Sequence, residues 1–373
     1  MTDIIVFGED YGVHPSSTQH LMNRLAENHR IIWLNSIGLR APHLKLSDII
    51  RIARKAMTML TARLKSSPPS TSGDVTPFPV LQPFALPFPN SQSVRTINRF
   101  LLTRQLRKLI GYYALQQPVL WTSLPSAVDA ICPEMIRTLY YCGDDFSALE
   151  GVDHQAIAVM EQELIQQADL VISASESLHS RMPHEKRLYL PHGVDIELFI
   201  RPSPCPLELQ KTRKRACFYG SIASWVRLDW IAFAAQQLPE WDFILIGNIK
   251  ADVQVLKKQD NIIFTGPKPH DELVAYASHC DILLMPFADN EQIRHCNPLK
   301  LYEYLALGKP IVTTQFPAIE PYQSLLHIAD SPEGFVTCLQ EALKEGDAGQ
   351  HQRQQAVQWE DWNQRAEKLE KWL

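Results

Sequence analysis

The sequence predicts an α/β protein of two domains, each built on a parallel sheet. Three observations predict it. Short apolar runs alternate with helix-period segments along the whole chain, which is the pattern of repeated βα units. The 373 residues suffice for two separate cores. Residues 201–215, with three prolines and a KTRKR run, divide two series of such units and read as a linker.

The first series places strands at 4–7, 31–34, 119–122, 137–141, 170–172 and 187–190. Ser16, with Gln19 three residues on, forms a capping box that opens the first helix. Residues 66–93 hold seven prolines and predict a long irregular loop, a candidate wall for an acceptor. The second series places strands at 216–219, 243–246, 262–264, 282–285, 311–313 and 326–328. A helix at 225–237 follows the first of these, and a terminal helical segment begins at Trp359. In such sheets ligands bind at the carboxyl ends of the strands, and two facing domains form a cleft there.

Composition excludes several classes. With 45% apolar and 21% charged residues the chain is neither disordered nor fibrous. No apolar run is long enough to span a bilayer. Asp3, Glu9 and Asp10 interrupt any signal-peptide pattern. Seven scattered cysteines without a C-x-x-C predict free thiols in a reducing cytoplasm. Thirteen histidines never take a metal-ligand spacing, and no hydrolase G-x-S-x-G is present. The expectation is therefore no bound metal and no cofactor.

The net charge of −5 hides an asymmetry. Residues 40–110 carry twelve Lys/Arg against two acids, Asp48 and Asp74. Within them, residues 45–65 repeat apolar side chains at helical spacing among arginines and lysines. That basic amphipathic pattern suits an anionic membrane surface or an anionic lipid-linked substrate. A core-packing helix with a solvated basic face fits it equally. Nucleic acid is a poorer partner, because the protein as a whole is acidic and lacks a basic motif interleaved with aromatics.

Four stretches could carry chemistry. The richest is 295–312, HCNPLKLYEYLALGKPIV. Asn297-Pro298 makes a turn, and Leu299 opens a short helix that Gly308 ends. Lys300 at the helix start suits a phosphate, and Glu303, one turn on, suits a sugar diol. Phe218-Tyr219-Gly220-Ser221 ends a strand with small residues that let backbone approach a diphosphate. Phe7 to Gly12 does the same in the first domain, with Gly8 and then His14 as candidate acceptor contacts. Tyr140 to Phe146 ends a buried strand on Asp144-Asp145, either of which could serve as a general base. Adjacent side chains diverge, so one of the two should face the ligand. Each stretch also has a plainer reading: a helix start, a tight turn, a βα loop, and a helix N-cap.

Taken together, the second half resembles the nucleotide-sugar glycosyltransferases of the two-Rossmann GT-B type, and their family 4-like members in particular. PHGVDIELF resembles the opening of that family's donor domain. IIFTGPKPHDELVAYASHCDILLMPF resembles its strand–Gly–helix–strand unit, and NPLKLYEYLALGKPIVTT its donor-binding helix. YYCGDDFSALEG, ADLVISASESL and FYGSIASWVRLDWI are similar to teichuronic-acid-type and xanthan-type transferases of bacterial polysaccharides.

The resemblance implies an acceptor-side domain over 1–190 and a donor domain over 191–356. Residues 357–373 would be a helix packing back on the first domain. It places Glu303 on the nucleotide ribose, as the second Glu of the family's E-x7-E motif. It puts the donor in contact with Gly220, Ser221, Gly266, His295, Asn297, Pro298, Leu299 and Lys300. Asp144 becomes the base of an inverting displacement, with Gly8, His14 and Asp145 on the acceptor side. The chain departs from the family at three points, the first being Cys142-Gly143-Asp144-Asp145 in place of the strand-ending His-Asp that carries the family's first-domain catalytic His. His295 replaces the first Glu, and Ser221 stands where the diphosphate-binding Arg would be, leaving Lys300 or Arg227 to substitute.

The implied activity is transfer of a hexose-type sugar from a nucleotide diphosphate donor to a polysaccharide or lipid-linked acceptor. Peripheral membrane contact would run through 45–65, on the cytoplasmic face. A nucleotide-sugar epimerase and a non-catalytic sugar-nucleotide or glycan-binding protein are the alternatives, since fold analogy alone excludes neither.

Overall fold

A computed structural model of the chain divides into two compact units. One is Met1–Leu190 with Leu369–Leu373, and the other is Pro191–Lys368. The structure describes residues 1–13, 16–37, 76–86, 91–146, 154–209 and 213–373. The basic segment 45–65, His14 and much of the proline-rich stretch lie outside the described residues.

The first unit holds a seven-stranded sheet in the order β3-β2-β1-β4-β5-β6-β7. Its strands are β1 (Asp3–Phe7), β2 (Arg30–Leu34), β3 (Val80–Leu81), β4 (Val119–Thr122), β5 (Arg137–Cys142), β6 (Leu170–Ser173) and β7 (Arg187–Tyr189). Every neighbouring pair is parallel. The second unit holds a six-stranded parallel sheet in the order β10-β9-β8-β11-β12-β13. Its strands are β8 (Lys214–Tyr219), β9 (Trp241–Ile246), β10 (Ile262–Gly266), β11 (Ile282–Met285), β12 (Ile311–Thr314) and β13 (His327–Ala329).

The apolar runs become strands because both faces of each sheet are covered. β1 and β9 are buried at every residue. A strand buried on both faces reads as a continuous apolar run rather than an alternating one.

Three expectations need correction. The proline-rich stretch contains an edge strand, β3. The Pro79 carbonyl accepts from the Trp33 amide at 2.9 Å, a role open to a residue without an N–H. Residues 201–209 and 213–215 are not a linker between the units but part of the second one. Their basic run is pinned there: Arg213 pairs with Asp242 at 2.7 Å and Arg215 donates to the His279 carbonyl at 3.1 Å. The predicted capping box is half made. Ser16 accepts from the Gln19 amide at 3.2 Å, but the Gln19 side chain donates to Glu9 at 2.9 Å.

The chain end is tied in at both of its parts. In the second unit the Val194 amide donates to the Glu360 carbonyl at 2.8 Å. A Cβ at Gly193 would lie 2.7 Å from the buried Trp362 ring, so only glycine fits there. In the first unit His29 meets Glu370 at 3.1 Å, and Arg137 donates to the Trp372 carbonyl at 2.7 Å. Among the described residues no helix is long and apolar enough to cross a membrane.

Both sheets reverse direction once. The chain lays down β1, β2 and β3 outward, then returns to place β4 beside β1. It repeats this with β8, β9 and β10, then β11 beside β8. Each reversal leaves a crevice at the carboxyl ends of the two central strands, where ligands bind in open α/β sheets.

Candidate active site

At the β8/β11 switch point lies the helix Leu299–Leu307, which matches the predicted element in both bounds. Pro298 precedes it and Gly308 ends it with φ 75°. Tyr304 fixes the helix across the switch. Its hydroxyl donates to the Leu284 carbonyl of β11 at 3.2 Å and accepts from the Tyr219 amide at the end of β8 at 3.4 Å.

That anchoring carries Lys300 into the crevice. Its Nζ stands 4.2 Å from the ring centroid of Phe218 on one side and 5.3 Å from that of Phe287 on the other. Among the described residues it forms no ion pair. Burial outweighs the nearby Glu303 and lowers its pKa to about 8. A cation held between rings without a counter-ion is a receptor for an anion.

Beneath Lys300 the backbone is close-packed. Gly220 has φ 128°, and a Cβ there would lie 2.6 Å from Lys300 Nζ. Gly247 has φ 143°, and its Cβ would lie 2.0 Å from the Gly220 carbonyl oxygen. Gly266 at the end of β10 accepts from the Gly247 amide at 3.0 Å and leaves open space where a side chain would be. The carboxyl ends of β8, β9 and β10 thus present a glycine floor, with Ser221 following Gly220.

Glu303 is buried, and both its oxygens are held. Tyr219 donates its hydroxyl to Oε2 at 2.6 Å, and His270 Nε2 lies 2.7 Å from Oε1. Burial disfavours the charged imidazole, but Glu303, Asp195 and Asp271 together raise its pKa. His270, Tyr219 and Gly247 were not anticipated as site residues. His270 opens the helix His270–Ser278 directly after the Pro-Lys-Pro that leaves β10, a carboxyl-end position that could have marked it.

The remaining donor-side candidates are placed differently. Asn297 is buried and donates to the Tyr302 hydroxyl at 3.0 Å, so it locks the helix start. His295 ends the helix Glu291–His295 and meets Glu291 at 3.2 Å, one turn back. Arg227 is engaged elsewhere: Asp229 holds it at 2.7 Å and its guanidinium lies 4.5 Å from the Trp230 centroid. Of the two cations considered for the diphosphate, Lys300 is the one left open.

At the β1/β4 switch point the first unit gathers carboxylates. Glu9 follows β1 and accepts from Ser123, which follows β4, at 3.5 Å. Asp144 and Asp145 follow β5 and diverge as expected. Asp145 is buried and accepts from Arg181 at 2.6 Å, an ion pair within the first unit. Asp144 is exposed, yet desolvation by surrounding protein, then the charges of Glu9 and Asp145, raise its pKa. A carboxylate raised in this way is a stronger base than an ordinary aspartate. Gly8 is explained by packing, since its Cβ would lie 2.4 Å from the buried Trp33 ring.

Residues 213–345 match the model of the Glycosyl transferases group 1 family. The chain is 29% identical over 254 residues to the candidate teichuronic acid biosynthesis glycosyltransferase TuaH of Bacillus subtilis (strain 168). That match spans 61% of this chain and 64% of the relative. Among solved structures it is similar to sucrose-phosphate synthase from Thermosynechococcus elongatus. The TM-score is 0.71 at 13% identity, over 100% of this chain and 98% of that one. It is also similar to Anabaena HepE in complex with UDP-glucose, with a TM-score of 0.68 at 13% identity over 99% of each chain. The chain therefore has the GT-B fold of two parallel-sheet α/β domains, and its residues 213–345 are similar to the Glycosyl transferases group 1 family.

Proposed function

We propose that the protein transfers a hexose-type sugar from a nucleoside diphosphate donor to a polysaccharide or lipid-linked acceptor in bacterial polysaccharide assembly. The observation that carries this is Lys300: an ammonium that forms no ion pair among the described residues, at the β8/β11 switch point, over a glycine floor and one turn before Glu303. HepE, solved with UDP-glucose, and TuaH, named for teichuronic acid biosynthesis, support the donor and pathway classes.

In the proposed inverting reaction Asp144 takes the proton of the acceptor hydroxyl. The hydroxyl oxygen forms a bond to the sugar's anomeric carbon as the bond to the diphosphate oxygen breaks. Lys300 and the N-terminus of its helix receive the charge that develops on the leaving diphosphate. These groups supply leaving-group stabilisation without a metal ion. Transfer is therefore expected to persist in excess EDTA.

Incubation with nucleotide sugars and lipid-linked acceptors tests the reading. Nucleoside diphosphate should be released only when acceptor is present, and NMR should show an inverted anomeric bond. An epimer formed from donor alone would establish the rival isomerase. Nucleotide binding without product would establish a non-catalytic binder.

Peripheral membrane contact on the cytoplasmic side is a second part of the proposal. The contact would run through the basic segment 45–65 together with the helix Gln92–Tyr113, which contains no acid, exposes Ile97, Phe100 and Tyr112, and carries Arg104 and Lys108 beside three arginines that pair with carboxylates. Such a face suits anionic headgroups. The protein should sediment with vesicles containing phosphatidylglycerol and be released at ~0.5 M salt, where the Debye length is only a few ångströms. Equal binding to phosphatidylcholine vesicles would exclude this contact.

A further inference from the structure

We infer that the cavity between the helix Gln92–Tyr113 and the carboxyl ends of β1, β2 and β3 holds the hydrocarbon tail of a lipid-phosphate-linked acceptor. The inference rests on the glycosyltransferase reading above and narrows its acceptor to the lipid-linked class.

The cavity has a volume of about 280 Å³. Phe7, Leu34 and Leu81 line one side, and they are the last residues of β1, β2 and β3. Leu102, Leu106 and Leu109 line the other, at four- and three-residue spacing along one face of the helix. The two side-chain amides in the lining are engaged elsewhere. Gln105 accepts from the Phe84 amide at 2.9 Å and donates to the Phe84 carbonyl at 2.8 Å. Gln82 donates to the Ser36 carbonyl at 3.4 Å. Such a lining offers water few hydrogen-bond partners and favours an apolar occupant. Apolar cavities of about 150 Å³ take up a benzene-sized ligand, so this one has room for roughly ten carbons.

Position and charge identify the occupant. The cavity lies at the sheet edge that also carries Glu9 and Asp144. Only β4 separates β1 from β5, so about 10 Å separates Phe7 from the strand that leads to Asp144. A phosphate and a sugar ring bridge such a span. The helix supplies the cations. Arg99 and Arg107 pair with Asp129 and Glu134, whereas the exposed Arg104 and Lys108, one turn apart, form no ion pair among the described residues. Cations so placed suit a phosphate. Phe84, next to the lining residue Pro83, is exposed, as are Ile97 and Phe100 on the helix. Apolar cavity, cations and base together match an amphiphile with a tail, a phosphate and a sugar. A soluble glycan would use only the last of the three.

The test is calorimetric binding of n-alkyl phosphates, from butyl to tetradecyl and each below its micelle concentration, to the full chain. Affinity should rise about fourfold per methylene and level off at roughly ten carbons. Alkyltrimethylammonium ions of the same lengths should bind more weakly. Leu106→Trp fills the cavity, and Leu109→Arg puts a charge into its half-buried lining. Each should abolish the dependence on chain length and leave nucleoside diphosphate affinity unchanged. Leu109→Arg decides the matter if Leu106→Trp does not fold. Decyl phosphate should also raise the KM for a lipid-linked acceptor without changing that for the donor. Four results would overturn the inference while transfer activity leaves the glycosyltransferase reading intact. These are affinity independent of chain length, affinity that climbs without levelling off, an unaltered dependence in Leu109→Arg, and decyl phosphate that binds without competing with the acceptor. Absence of transfer from every nucleotide sugar, with the chain-length series as expected, would instead remove the glycosyltransferase reading and the acceptor role with it.

Discussion

Asp144→Asn is expected to lower the turnover number for sugar transfer by a factor of about 10² to 10⁴, the usual contribution of a positioned base. Nucleoside diphosphate affinity should not change, because Asp144 belongs to the first unit and the donor residues to the second. The physical basis is the environment after β5. Desolvation and the charges of Glu9 and Asp145 raise the Asp144 pKa, so its carboxylate binds a proton more strongly than an ordinary aspartate. The base works only when ionised. Activity should therefore fall as pH drops through that raised value, and the acidic limb should vanish in Asp144→Asn. Asp145→Asn is the control. Its carboxylate is paired with Arg181, so this change should lower the melting temperature rather than turnover selectively. Near-normal turnover in Asp144→Asn would remove Asp144 from the mechanism.

Lys300→Met is expected to weaken nucleoside diphosphate binding by roughly 10- to 100-fold, the loss of one hydrogen bond to a charged group. Methionine fills similar space between Phe218 and Phe287, so the fold should tolerate it. The stability effect follows from linkage. The pKa of Lys300 is lowered to about 8 in the folded protein, below its unfolded value. Between these two pH values the unfolded chain binds the extra proton, so stability rises with pH across that window. Below pH 8 the folded protein carries a desolvated charge, and Lys300→Met should melt no lower there than the unaltered protein. Binding runs the opposite way, since the diphosphate needs the protonated amine. Affinity should decline above about pH 8 in the unaltered protein and stay flat in the variant. A parallel decline in both would mean that another group receives the phosphate.

Much of the fold was legible because of its parallel sheets. Strands covered on both faces must be apolar throughout, so twelve of the thirteen strands among the described residues are visible as short runs. The exception, β3, has two residues at a sheet edge among prolines, too short for any pattern. The helix over 299–307 was legible to the residue, because Pro298 and Gly308 mark both ends. The supposed linker at 201–215 misled because its basic residues look solvated in sequence. Arg213 and Arg215 in fact bind groups that lie distant along the chain.

The sequence alone determined the two α/β domains, the helix carrying Lys300 and Glu303, and the strand that leads to Asp144. These are local properties: an apolar run, a pair of helix punctuation marks, a spacing of one turn. Only the tertiary structure decided which side chains meet. It turned Asp145 inward to Arg181 and left Asp144 open, occupied Arg227 with Asp229, and brought Tyr219 and His270 onto the two oxygens of Glu303. Those partners lie between 2 and 84 residues apart in the chain. A longer-range contact is set by how strands are ordered in the sheet, and no local pattern encodes that order.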